Sequence, residues 1–575
     1  MQSTSAASYH SIPAELLVRN WLATFGQRWR AELGLLKKPI LSAGVLAALV
    51  GCVGSVCLMF RAGQPNDSPV LSGLWAVWVL SPFTAILLLC TISPRWATLT
   101  RMALFGLALG LAAGTFAIYW NVAASSGGAS VAFPFVVVPI GSWFLVATIL
   151  PIVGLMSRGL SRCWFVRWTI RTIAAACLLV VVGVSVLLGL LLLDHNRETI
   201  LPEPTGPFPV GRTRFVWQGE EIDPAAPSGT KRQLLVWIWY PAPQENPSEP
   251  VDDYLPAAWR TAVENQSGVL LSQFLTRDLS RVRAHSLRDP PVSPRQPLYP
   301  VVLMRGGGAA LTTDYTTLAE DLASHGYVVV GFDVPYRSWV AVLPDGTVVA
   351  RALQNNLDNF DGPQADRLAE TLARAWTADC RFLLDQLERL NASDSPGTFR
   401  GRLDLERLGM FGHSLGGATA LLFCHDDPRC KAGIDVDGAP LGPIISAGVS
   451  QPFMFIVSDH SREWTAGRQP EFIRHAMANI RSIFERLPDD RRLMVEIRGA
   501  NHFLFSDNGA LLKSPFAMRL LRGLGIVRID GRRQLTLTVR SISSFFDVYL
   551  KGAPASRLKE QIQSPEIQEV PSRGA

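Results

Sequence analysis

Between Arg407 and Gly417 the chain reads Arg-Leu-Gly-Met-Phe-Gly-His-Ser-Leu-Gly-Gly, and its Gly-x-Ser-x-Gly at Gly412, Ser414 and Gly416 dictates what must surround it. A nucleophilic serine is lifted clear of the backbone at the tip of a strand and over the start of a helix. The turn is so tight that only small residues fit two positions before and after it. Leu408–Phe411 reads as the buried strand, and Ala418–Phe423 opens the helix. The rest of the C-terminal half follows the same rhythm. Strands are predicted at Thr213–Trp217, Gln233–Tyr240, Pro300–Met304, Tyr327–Asp333, Arg407–Phe411, Ala432–Val436, Pro452–Val457 and Leu493–Ile497. Helices are predicted at Thr316–His325, Ala365–Leu390, Gly417–Cys424, Pro470–Leu487 and Val539–Leu550, with residues 241–299 irregular. That alternation predicts an α/β fold: a mainly parallel sheet with helices on both faces.

The N-terminal half differs. Five apolar stretches, Ile40–Phe60, Val70–Ile92, Met102–Trp120, Val131–Met156 and Thr172–Leu193, are each long enough to cross a bilayer as a helix. Pro134, Pro139 and Pro151 predict a kinked or partly re-entrant fourth span. The expected organisation is a cytoplasmic amphipathic segment over 1–39, an all-α transmembrane domain of about five helices over 40–193 and a Pro-rich linker over 194–212. A catalytic domain over 213–553 and a disordered polar tail over 554–575 complete it. Eleven lysines and arginines flank one side of the spans (Arg19, Arg28, Arg30, Lys37, Lys38, Arg95, Arg101, Arg158, Arg162, Arg167, Arg171), and only Arg61 flanks the other. By the positive-inside rule the N-terminus is cytoplasmic, and an odd span count exports the C-terminal domain. The expected location is therefore a plasma or inner membrane, with the catalytic domain extracytoplasmic. The net charge of +6 resides largely in these connectors, so it signals orientation and no nucleic-acid surface. No Cys/His spacing suits a metal, and no cofactor is expected. In an oxidising compartment Cys424 and Cys430, which flank a short connector, are candidates for a disulfide.

A serine hydrolase of this architecture places its acid and histidine after the serine, each beyond the end of a strand. His502, in Gly499-Ala-Asn-His-Phe503 just past Leu493–Ile497, is the candidate base; His425 and His475 fall on a polar connector and mid-helix. Asp437 and Asp459 each close a strand, and either could hold the imidazole tautomer. Asp435 points to the opposite face from Asp437. The oxyanion would be met by the N–H of Leu415, next to the serine, and by Gly307 in the Arg305-Gly-Gly-Gly308 loop. His413 reads as a packing residue of the elbow.

From Pro300 to about Gly552 the chain resembles the platelet-activating-factor acetylhydrolase family of α/β-hydrolases. The likeness rests on Asp321-Leu-Ala-Ser-His-Gly-Tyr327, Phe382-Leu-Leu-Asp-Gln-Leu387, Gly412-His-Ser-Leu-Gly-Gly417, Gly433-Ile-Asp-Val-Asp437 and Asn501-His-Phe503. The resemblance implies the α/β-hydrolase fold and favours Asp437 as the acid, with Asp459 the alternative. Where the family's oxyanion loop begins Ser-His-Gly, this chain has Met304-Arg305-Gly306. The fold is related in outline to dienelactone hydrolases, whose nucleophile is a cysteine, and Ser414 argues against that activity. The implied function is a membrane-anchored serine hydrolase that cleaves carboxylic esters, short-acyl phospholipids among them, through an acyl-enzyme. The competing readings are a transporter or sensor whose hydrolase-like domain binds a ligand, or a peptidase or acyltransferase of the same fold. The apolar insertion Leu511–Ile526 reads as a packing helix or, alternatively, as a lid over the pocket. The expected partners are the ester and the bilayer.

Overall fold

The computed structural model describes residues 39–62, 69–93, 98–124, 132–156 and 189–571, apart from 224, 244–249, 271–275, 309, 361, 394–397, 460–470 and 512–527. The chain divides into two compact units, Met1–Leu187 and Leu188–Ala575.

In the first unit, four of the five apolar stretches are helices: α1 Pro39–Ala62, α2 Pro69–Ile92, α3 Thr98–Ala124 and α4 Ala132–Met156. Residues 132–156 form one helix and no re-entrant turn; Pro134 sits in its first turn, where a missing N–H costs nothing. By length and composition Thr100–Trp120 within α3 is apolar and long enough to cross a membrane, and the apolar parts of the others, Gly44–Met59, Ala76–Thr91 and Val137–Leu150, are shorter. The fifth expected span, Thr172–Leu193, lies outside the described residues up to 188. The helices pack through Ala48, Phe83, Ile86, Leu104, Ala108 and Leu111. Their outward faces are apolar too: Leu46, Val53, Leu88 and Leu109 are 62–65% exposed. Such helices have no water-facing stripe.

The second unit is built on one large sheet. Its strands are β1 Thr199–Ile200, β2 Val210–Ile222, β3 Lys231–Pro241, β4 Val251–Asp253, β5 Val282–Arg288, β6 Tyr299–Arg305 and β7 Val328–Asp333. A separate hairpin, β8 Val340–Val342 and β9 Val348–Ala350, follows, and the sheet resumes with β10 Leu403–His413, β11 Cys430–Val436, β12 Phe453–Ser458, β13 Arg492–Ile497 and β14 Ile567–Glu569. The order is β1-β5-β2-β3-β7-β6-β10-β11-β12-β13-β14, with β4 on β5. From β7 to β13 all neighbours run parallel, whereas β3 and β14 join antiparallel. Strand alternation feeds two cores. Val301 and Leu303 of β6 face Trp376 and Leu383 of α5 (Gly362–Ser393) and Leu421 of α6 (Leu415–Asp426). Val302 and Met304 face the other layer, with Leu318 of the helix Thr316–Ser324 and Phe545 and Phe546 of the helix Gly531–Lys551. Cys424 and Cys430 lie at bonding distance, with S–S 2.01 Å. A cross-link over so short a loop restricts the unfolded chain by roughly 2 kcal/mol.

Two boundaries differ from the expectation. The linker over 194–212 is part of the domain: Leu201 is buried, β1 pairs with β5, and Arg212, wholly buried, donates to Asp252 Oδ2 at 2.6 and 2.9 Å. The tail beyond Pro554 is ordered through residue 571. It contains a helix, Ala555–Gln561, and β14, which pairs with the outer edge of β13. Leu558 and Ile562 are buried, and Glu566 receives Arg533 through both carboxylate oxygens at 3.0 Å, which is why so polar a segment stays down.

Candidate active site

Ser414 sits between β10 and α6 with φ 58° and ψ −125°, a conformation side chains rarely adopt. The flanking glycines are required by distance: a Cβ on Gly412 would lie 2.0 Å from the Gly416 carbonyl oxygen, and one on Gly416 would lie 2.1 Å from the Arg305 carbonyl oxygen. The His502 Nε2 is 3.2 Å from Ser414 Oγ, and its Nδ1 is 2.8 Å from Asp437 Oδ2. The three residues leave the carboxyl ends of β10, β11 and β13, where an open parallel sheet concentrates its ligand sites. Asp437, at φ 54°, also accepts the Ser458 N–H at 2.7 Å. Burial alone would raise its carboxyl, but the hydrogen bond and charge of His502 and the Ser458 amide outweigh it and hold it below the usual range. An ionised Asp437 keeps the proton on Nδ1 and leaves the Nε2 lone pair facing the serine.

Asp459, the alternative acid, is engaged elsewhere. Its Oδ2 accepts the Gly499 N–H at 2.7 Å and Arg528 Nη1 at 2.8 Å, which braces the turn before His502. Asp435 turns beneath the elbow and accepts the Gly438 N–H at 2.8 Å. Burial, only partly offset by that bond, pushes its carboxyl up to about 8.

The glycine loop lies where the sequence puts it, but it is not simply open. A Cβ on Gly307 would be 3.3 Å from Ser414 Cβ, so the backbone is against Ser414. Its N–H, expected to face the oxyanion, donates instead to the Tyr315 hydroxyl at 3.1 Å. That hydroxyl lies 2.7 Å from His413 Nδ1. The Leu415 N–H is a first-turn donor with no acceptor inside its helix, and so is available to a ligand. Arg305, in place of the family's histidine, turns away from the serine into the opposite core, 3.9 Å from the Trp376 ring centroid.

Sequence reasoning treated His413 as packing and missed Tyr315 and Asp507. The His413 ring lies 4.6 Å, centroid to centroid, from that of His502, tilted by 39°. Burial, then the neighbouring His502 charge, drives it down to about 3. It therefore stays neutral and offers no repulsion when His502 takes a proton. Asp507 accepts from the Thr316 and Thr317 N–H groups at 3.0 and 3.1 Å, and so ties the loop after His502 to the helix that follows the glycine loop. No local motif announces these residues; they meet only through the fold. Leu511 aside, the candidate lid Leu511–Ile526 lies outside the described residues.

Comparison with known proteins agrees with this geometry. The platelet-activating factor acetylhydrolase, isoform II family matches residues 193–342 and 388–553, more than half of the chain. Platelet-activating factor acetylhydrolase of Cavia porcellus is 24% identical over 63% of this chain and 80% of its own length. A probable 1-alkyl-2-acetylglycerophosphocholine esterase of Arthroderma benhamiae is 24% identical over 61% and 86%. Among solved structures, a ferulic acid esterase from Streptomyces cinnamoneus superposes with a TM-score of 0.51 at 23% identity, over 65% of this chain and all of that one. The chain therefore belongs to the platelet-activating factor acetylhydrolase, isoform II family and is a serine carboxylic ester hydrolase.

Proposed function

We propose that Ser414, His502 and Asp437 carry out ester hydrolysis through an acyl-enzyme. The reading rests on the unbroken chain from Ser414 Oγ through His502 to Asp437 at 3.2 and 2.8 Å. Ser414 Oγ attacks the ester carbonyl while its proton passes to His502 Nε2. The imidazolium, stabilised by Asp437, returns that proton to the leaving alkoxide. Water then enters, is deprotonated by the same nitrogen, and releases the acid. The Leu415 N–H meets the oxyanion, and the Gly307 N–H joins it as the substrate oxygen displaces the Tyr315 hydroxyl. Short-acyl glycerophospholipids are the proposed substrates, by analogy with the acetyl-ester enzymes to which the chain is similar.

The N-terminal unit is proposed to anchor the chain in a bilayer, which accounts for its outward-facing leucines and valines. The eleven-to-one distribution of basic residues supports a catalytic domain outside the cytoplasm. The direct test of the chemistry is covalent labelling by a fluorophosphonate together with hydrolysis of p-nitrophenyl acetate. Ser414→Ala should abolish labelling and leave less than a hundredth of the turnover. Labelling that survives the substitution would assign the nucleophile to another residue.

A further inference from the structure

Residues 343–387 fall outside both stretches matched by the family model. This segment begins at the turn between β8 and β9, runs through β9 and reaches the glycine loop. Arg351, directly after β9, brings its Nη1 to 3.5 Å from the carbonyl oxygen of Gly308. Gly308 is part of the nucleophile's wall: a Cβ there would lie 3.6 Å from Leu357 and 3.9 Å from Leu415. The guanidinium is thus one residue along the loop from Gly307, which touches Ser414.

The placement is rigid. The Arg351 N–H donates to Trp339, the Ala352 N–H donates to the Tyr336 carbonyl, and the buried Asn355 side chain donates to the carbonyls of Tyr336 and Ala225. Yet the cation is poorly compensated. Its side chain is only 14% exposed, and the carboxylate near it, Asp358 at 4.0 Å, is 69% exposed and so strongly screened. The carbonyl contact is at the limit of a hydrogen bond. Burial weakens the charge more than Asp358 supports it. A largely desolvated, firmly held arginine on the glycine loop of an ester hydrolase calls for an anion from the ligand.

Building on the proposed function, we infer that Arg351 is a specificity-determining residue that binds an anionic group, phosphate or carboxylate, on the alcohol side of the ester. In a glycerophospholipid the phosphate is a few bonds from the sn-2 carbonyl, and in a carboxylated aryl ester the carboxylate occupies a comparable place.

The test measures kcat/KM of the full-length protein, in a nonionic detergent, on three acetates: a 2-acetyl glycerophosphocholine, 4-acetoxybenzoate and neutral p-nitrophenyl acetate. Arg351→Gln should lower the anionic-to-neutral ratio about 10- to 100-fold, the loss of one charge-assisted contact, and Arg351→Lys should restore part of it. A fall confined to the phospholipid identifies phosphate as the group bound; one confined to acetoxybenzoate identifies carboxylate. An unchanged ratio for both anions overturns the inference while leaving the esterase reading intact. A wild-type protein that cleaves none of the three overturns both.

Discussion

Replacing Asp437 with asparagine separates the two carboxylates that the sequence left in competition. Asp437 Oδ2 receives Nδ1 of His502 at 2.8 Å and a second oxygen receives the Ser458 amide, so an asparagine fits the space and can keep one of these bonds. What it cannot do is stabilise an imidazolium or hold the proton on Nδ1. With its amide group turned to His502 it would donate, force the proton to Nε2 and remove the base from Ser414. The expected loss is about 10⁴ in kcat, equivalent to roughly 5 kcal/mol of transition-state stabilisation. Asp459→Asn, by contrast, retains an acceptor for the Gly499 N–H and weakens a partly exposed contact to Arg528. It should cost at most several-fold in kcat and about 1 kcal/mol in stability. Steady-state kinetics on p-nitrophenyl acetate at pH 7.5 and the rate of fluorophosphonate labelling read both variants, with circular dichroism to check folding. A larger kinetic loss in Asp459→Asn than in Asp437→Asn, with both proteins folded, would refute the assignment.

Asp435 gives a stability prediction with a definite sign. Its folded carboxyl is raised from 3.8 to about 8, so the folded state keeps a proton that the unfolded chain releases, and stability declines as pH rises from about 4 to about 8. Asp435→Asn has no proton to lose, so its stability relative to wild type should grow by up to about 1.4 kcal/mol per pH unit across that window; parallel pH profiles in urea melts would contradict this. For topology, an alkaline phosphatase fused to the C-terminus should be active and a green fluorescent protein dark. The reverse pattern would place the catalytic domain inside.

The parallel strands and the elbow could be read from the chain because their information is local. Val328–Asp333 and Phe453–Ser458 are continuous apolar runs, and the glycines around Ser414 answer a steric demand within five residues. The strand Val282–Arg288 was illegible for the opposite reason. Its Val-Arg-Ala-His-Ser-Leu-Arg carries polar groups into the interior, and these are satisfied by Glu320, whose Oε1 accepts from the His285 and Ser286 N–H groups and the Ser286 hydroxyl. No window around residue 285 contains that partner. The same holds at the site. His502 and Ser414 could be named from their strand ends; the strand ends alone left Asp437 and Asp459 open, the family resemblance favoured Asp437, and the fold puts the Asp437 carboxylate 2.8 Å from Nδ1. Tyr315's hold on Gly307 depends on a short helical turn, Thr312–Tyr315, that brings the ring back over the loop.

The strand at 567–569 has a consequence beyond completing the sheet. β13 is the outermost parallel strand, and His502 lies just past its end, so its outer row of backbone amides and carbonyls would offer a template to any passing chain were β14 not laid on it at Val495, Glu496 and Ile497. Cutting the protein at Pro554, as its polar tail invites, would expose that template next to His502. The shortened protein should then self-associate through edge-to-edge pairing, with activity falling as its concentration rises.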